Sequence, residues 1–210
     1  MEMKRRTGKF KVEDDYNKPG RDFREVIANY KKYTTQTEFR LFLGIPLVAS
    51  VLVFVYFWFF EKSNSNLLGY IMEMNQSSLT VVAILAGFNT TSLSIIASSN
   101  NKVLKFLKQH KLKDSEDTVL KQLVSFFSFA ILVQLIVLVI GIMLSMISKS
   151  FNDVAIMVPL LSGLAAKIPL SILGVAWLGT VLFTIIISIR NATLLYRYVL
   201  FVADYDDEQP

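Results

Sequence analysis

Apolar residues in this chain fall into long unbroken blocks instead of recurring at the period of an amphipathic helix or a half-buried strand. Four blocks are long enough to matter, at about Leu41–Phe60, Leu79–Ser99, Leu123–Ile147 and Ile168–Ile189. Each meets the ~20 residues that a ~30 Å hydrocarbon core requires. The second is interrupted by Asn89, Thr90, Thr91, Ser92, Ser94 and Ser98, yet it carries no charge. No Asp, Glu, Lys or Arg falls inside any of the four as drawn. The pattern predicts an all-α integral membrane protein with four transmembrane helices in residues 41–190, spanning at about 41–60, 79–99, 123–147 and 168–189.

The flanking segments carry their own signals. Asn17-Lys18-Pro19-Gly20 is a turn signature. After it, Phe23, Val26, Ile27, Tyr30 and Tyr33 recur at helical spacing opposite Arg24, Lys31 and Lys32, which predicts an amphipathic helix. Thr35-Gln36-Thr37-Glu38 has the capping-box pattern that starts a new helix, and Pro46 is placed to kink it early. Between the second and third blocks, Lys102, Lys105, Lys108 and Lys111 alternate with Val103, Phe106 and Leu107. The second helix is therefore expected to continue past the membrane and to break near Lys113–Asp117. Residues 148–167 are oddly apolar for a loop, with Val154–Leu164 interrupted by Pro159 and Gly163; an interfacial or re-entrant segment fits best. Residues 191–210 form a C-terminal extension ending in an acidic tail.

Charge then orients the chain. Lys and Arg number 11 in residues 1–40, 6 in 100–121 and 2 in 190–210, against Lys62, Lys149 and Lys167 on the other side. Positive residues mark the cytoplasmic face. Both termini are thus expected in the cytoplasm, with residues 1–40 forming a basic cytoplasmic element. That element mixes 11 basic with 7 acidic residues, more like a small folded unit than a bare polybasic tail. Lys4, Arg5, Arg6, Lys9, Lys11 and Arg24, with Lys102, Lys105 and Lys108 from the second cytoplasmic segment, are its candidate contacts to an anionic ligand such as a nucleotide or oligonucleotide. Anionic lipid attraction and topology alone account for the same charges.

Within the membrane, the polar positions line up. Thr80, Ala83, Gly87, Thr91, Ser94 and Ser98 make one stripe on the second span, with Asn89 and Ser92 on another face. Gln134, Gly141, Ser145 and Ser148 align on the third span, and Trp177, Thr180, Thr184, Ser188 and Asn191 on the fourth. Small and hydroxyl residues let helices pack closely and bond across; the same residues could line a water-filled pore in an oligomer. The candidate pore-lining or packing set is Thr80, Gly87, Asn89, Thr91, Ser94, Ser98, Gln134, Thr184 and Ser188.

Composition narrows the chemistry. With no Cys and a single His, His110, a conventional metal or haem site has almost no ligands to draw on. No nucleophile–base set or carboxylate pair lies near a membrane face, so neither catalytic residues nor a cofactor are expected. The absence of ionisable residues from the spans argues against an ion-coupled transporter.

The layout, with the second span reading Leu85-Ala86-Gly87-Phe88-Asn89-Thr90-Thr91-Ser92-Leu93-Ser94-Ile95-Ile96-Ala97-Ser98, resembles the small four-span membrane proteins of bacterial antiphage defence loci. The Hailong effector is the nearer likeness and the Kiwa membrane subunit the second. The resemblance implies a homo-oligomer, a tetramer for preference, in the bacterial inner membrane. A Hailong-like protein would be an ion channel held closed or opened by a nucleic-acid ligand made by a partner nucleotidyltransferase. A Kiwa-like protein would sense membrane perturbation and signal to a cytoplasmic partner. The alternative function is a non-conducting sensor, scaffold or immunity protein acting through a cytoplasmic protein partner, one from the same operon.

Overall fold

The computed structural model describes residues 20–99, 101–112, 116–152 and 164–207. The basic residues Lys4, Arg5, Arg6, Lys9 and Lys11, the turn at 17–19, and the apolar segment 153–163 read as interfacial or re-entrant lie outside the described residues. Six helices make up the described chain: α1 (Arg21–Tyr33), α2 (Gln36–Phe60), α3 (Asn64–Ala97), α4 (Asn101–Gln109), α5 (Val119–Asn152) and α6 (Leu164–Asp207). Four of them, α2, α3, α5 and α6, are long and apolar enough to cross a membrane.

The helix starts follow local rules. Gly20 takes the left-handed conformation, φ 81°, just before α1, where a side chain would be strained. Thr35 and Glu38 form a reciprocal capping box at α2, each bond 3.3 Å. Pro46 does not end α2, which runs on to Phe60. At the far end of α2, the Lys167 ammonium donates to the carbonyls of Trp58 and Glu61, at 3.0 and 2.8 Å. It thereby satisfies last-turn acceptors that the helix cannot.

The helices depart from the apolar blocks in three places. The helix that holds the second block begins at Asn64, ahead of Leu79 and of Leu67–Met72, whose apolar run allows such an outward extension, so Glu73 belongs to the helix and the α2–α3 connection shrinks to three residues, 61–63. The same helix also stops short of the lysine-rich segment: it closes at Ser98, and α4 is a separate element. The hydroxyls of Ser98 and Ser99 donate to the carbonyls of Ser94 and Ile95, and such local bonding competes with helix continuation. The helix that holds the fourth block, α6, also runs on past Ile189 to Asp207, making most of the C-terminal extension helical.

The membrane-length helices pack in pairs, α3 against α5 and α6, and α2 against α6. Val82, Val137, Trp177 and Val181 form the middle of the core. Phe54 of α2 seats its ring directly on Gly174 of α6, where even a methyl group would collide with it. Toward the α4 end, Ile96, Val103, Leu107, Leu123, Phe127 and Tyr198 form a second cluster. This explains the spacing in α4: Val103 and Leu107 face in, and Lys102, Lys105 and Lys108 face out.

The amphipathic helix α1 is strapped to the same end. Tyr30 stacks on Phe129 at 3.7 Å and meets Phe126 edge-on, as does Tyr33. Lys32 and Lys121 both pair with Asp117. The Lys32 ammonium holds the Asp117 carboxyl well below its ordinary range, with Tyr33 and Lys121 adding to the effect. Burial, and then Asp117, pushes the Tyr33 phenol up to about 12. A carboxylate with a depressed pKa contributes its stabilisation above its unfolded value, ~3.9, and loses it as pH falls below that toward the folded value. The strap is therefore intact at neutral pH and loosens in acid. Asp117→Asn, which mimics the protonated form, is expected to speed amide exchange of α1 several-fold at neutral pH while leaving the cores of α3 and α5 unchanged. Unaltered α1 exchange would contradict this account.

Candidate functional site

The second span carries two polar faces, and the fold sends them in opposite directions. On the inward face, Asn75, Ser78, Asn89 and Ser92 are buried. Asn89 is the hub. Its amide nitrogen donates to Gln134 Oε1 at 3.1 Å and Ser188 Oγ at 3.0 Å, and its oxygen accepts from Asn191 at 2.8 Å. Gln134 donates to Ser188 at 2.7 Å, and Ser188 donates to the carbonyl of Thr184 at 2.9 Å. Thr184 turns its own hydroxyl to the Val181 carbonyl. All these side chains are at most 2% exposed. The network links α3, α5 and α6, and every side-chain polar atom of Asn89, Gln134, Thr184 and Ser188 meets a partner, as a hydrocarbon surround demands. A second link lies further along, where Asn75 donates to the Gly141 carbonyl and to Ser145 Oγ.

On the outward face, Thr80, Ala83, Gly87, Thr91, Ser94 and Ser98 are exposed. Glu73, Gln76 and Ser77, which precede the second apolar block, extend that face toward the α2–α3 connection and are exposed as well. Glu73, Thr80, Gly87 and Ser94 repeat every seven residues, close to two helical turns. Ser94 and Ser98 return their hydroxyls to carbonyls one turn back, which lowers the cost of exposing them to an apolar medium. The neighbouring helices contrast sharply. Val48 and Leu52 on α2, Val139 and Met143 on α5, and Ile172 on α6 are each at least half exposed, as lipid-facing surfaces are.

The candidate set thus divides. Asn89, Gln134, Thr184 and Ser188 hold the protomer together, whereas Thr80, Gly87, Thr91, Ser94 and Ser98 look outward. Of the faint stripe on α5, Gln134 and Gly141 are buried and Ser145 is half-buried, with Gly141 against α3.

Basic groups gather at the α1–α4 end. Arg24, Lys102, Lys105 and Lys108 are exposed there. Sequence spacing did not single out Lys31 and Arg40 as a pair, because they sit on different helices. The extended residues Thr34 and Thr35 turn the chain between α1 and α2, and the two cations then line one cleft of about 430 Å³ with Thr34, Gln36 and Phe39. Neither pairs with a carboxylate among the described residues. Behind the cleft, Arg190 of α6 bonds Thr34 at 3.3 Å and Glu38 at 3.5 Å. Its guanidinium lies 3.8 Å from the centre of the Phe126 ring, a cation–π arrangement in a largely dry setting. Among the described residues no group of three or more metal-ligating side chains comes together.

Asn89→Leu should strand Asn191 and Gln134 and cost about 2–4 kcal/mol of stability, from the penalty of unpaired buried polar groups and the modest worth of interhelical bonds in membranes. Unfolding in mixed micelles measures it, and a loss under ~0.5 kcal/mol would mean that the network is incidental. No protein family model, characterised protein or solved structure matches the chain.

Proposed function

We propose that this chain is a channel-type membrane effector of bacterial antiphage defence. Copies assemble as a homo-oligomer, a tetramer for preference, in the bacterial inner membrane with both termini in the cytoplasm. The observation that carries the reading is the outward polar face of α3, with Thr80, Gly87, Thr91 and Ser94 exposed while Asn89 and Ser92 are buried. A hydroxyl-rich face directed away from the protomer's own core is poorly matched to lipid. Symmetric copies that turn this face to a common axis would give it water, with Glu73 adding a ring of carboxylates toward one mouth. Opening such a pore dissipates the membrane potential; no chemical transformation is involved.

Gating belongs to the basic end. The Lys31–Arg40 cleft adjoins the first turn of α2, and Glu38 in that turn is held by Arg190 of α6. An anionic ligand, a nucleotide or oligonucleotide, that binds the basic groups there would shift α2 and α6 together. Lys102, Lys105 and Lys108 of α4 would add further basic groups at that end. The alternative is a non-conducting sensor or scaffold that uses the same surface for a cytoplasmic protein partner.

Purified protein in liposomes, loaded with a potassium gradient and titrated with ATP or short oligonucleotides, tests the reading. Ligand-dependent ion flux is expected, falling at least ten-fold when Thr91 and Ser94 are both changed to Leu. Absence of flux under every condition would overturn the channel reading, and so would flux unchanged in that double variant. Recovery of a stoichiometric cytoplasmic partner without any flux would favour the alternative.

A further inference from the structure

The cleft lined by Lys31 and Arg40 lies at a definite depth. Arg40 immediately precedes Leu41, the first residue of the apolar block that ends at Phe60. At the far end of α2, Lys167 closes the last turn through the carbonyls of Trp58 and Glu61. From Arg40 to Glu61 the helix rises about 32 Å at ~1.5 Å per residue, which matches a ~30 Å hydrocarbon layer. The two cations therefore stand at the boundary where lipid phosphates lie. Both are exposed, and neither pairs with a carboxylate among the described residues. Arg190, by contrast, is committed to Thr34, Glu38 and the Phe126 ring. The rest of the cleft's lining is Thr34, Gln36 and Phe39, with no acidic side chain. Beyond the cleft, toward the middle of the membrane, the surface of α2 is apolar and open. Leu43, Leu47 and Val51 follow Arg40 by three, seven and eleven residues, along one face of the helix, and are 50%, 51% and 41% exposed.

We propose that this cleft holds the headgroup of an anionic phospholipid of the phosphatidylglycerol type, with an acyl chain lying along Leu43, Leu47 and Val51. A planar guanidinium such as that of Arg40 suits two oxygens of one phosphate, and Lys31 adds a compact second charge. Basic pockets at the membrane boundary take such headgroups. The lining also selects among lipids. A zwitterionic headgroup would bring an ammonium toward two cations, with no carboxylate in the lining to meet it. A glycerol headgroup brings hydroxyls instead, which the amide of Gln36 can bond as donor or acceptor. Phe39, the apolar member of the lining, suits the start of the acyl chains. The site rests on the membrane-crossing helices and not on the channel reading. A soluble anion acting on α2 and α6 through the same cleft would first have to displace the lipid, which thereby sets a threshold for that ligand.

Native mass spectrometry of the full-length protein, released from nanodiscs of equal parts phosphatidylglycerol and phosphatidylcholine, reads the retained lipid without any measurement of flux. Its result therefore stands whether or not the protein conducts. One phosphatidylglycerol per protomer is expected, favoured over phosphatidylcholine by about ten-fold, the order that two interfacial cations supply. Lys31→Gln combined with Arg40→Gln should erase that preference. Lys111→Gln combined with Arg197→Gln removes the same charge from exposed positions outside the cleft and should keep it, which separates a site from general attraction. Glycerol phosphate, which carries the headgroup chemistry without the chain, should leave the lipid in place at matched concentration. Equal retention of the two lipids, a preference that survives loss of Lys31 and Arg40, or an equal loss in the control variant would overturn the proposal. Displacement by glycerol phosphate would overturn it too, and would assign the cleft to a soluble anion.

Discussion

A polar side chain in hydrocarbon must find its partners inside the protein, and this fold depends on how Asn89 meets that demand. Bonded to Gln134, Ser188 and Asn191, it fixes the rotation of α3 about its own axis. Individual bonds of this kind contribute modestly, ~0.6 kcal/mol on average in membrane proteins. Their larger effect is geometric. At about 100° per residue, Gly87 and Thr91 stand roughly 200° from Asn89, and Thr80 and Ser98 roughly 180°. With Asn89 locked inward, the stripe can only face out. The residues that stabilise the protomer therefore also decide what surface it shows to its surroundings.

The ends of the bundle are tied by charge instead. Lys167 closes the last turn of α2 at one end. At the other, Arg190 joins α6 to the α1–α2 corner, while Lys32 and Asp117 fasten α1 beside α5. These links lie close to the Lys31–Arg40 cleft, so a ligand there would act on a corner already coupled to two of the membrane-length helices.

Much of this was legible in the sequence, and for identifiable reasons. Four apolar blocks, the Thr35–Glu38 capping box and the Phe23–Tyr33 periodicity each encode a local rule that the fold obeys. Asn89 and Ser92 were separable from the hydroxyl stripe by spacing alone. What spacing could not supply was direction: nothing local says that Asn89 meets α5 and α6 while Thr91 meets neither. Hydropathy also left the first fifteen residues of α3 undecided, because Asn64–Asn66 and Glu73 depress it on either side of the apolar Leu67–Met72 although all are compatible with a helix. The lysines after Ser98 gave the opposite error, since amphipathic spacing continued across a serine-rich stop. Lys31 and Arg40 escaped notice as a pair because a chain reversal, not a motif, unites them.

Whether the outward face of α3 meets water is the central question, and the chain's lack of cysteine makes it directly measurable. Single variants Thr91→Cys and, as a lipid-facing control, Val139→Cys can be treated in proteoliposomes with a membrane-impermeant thiol reagent. Rapid labelling of Thr91→Cys that depends on the activating ligand, with the Val139→Cys control inert, is the predicted result. Thr91→Cys as unreactive as the control under every condition would contradict a water-facing stripe and leave that face as a dry packing surface.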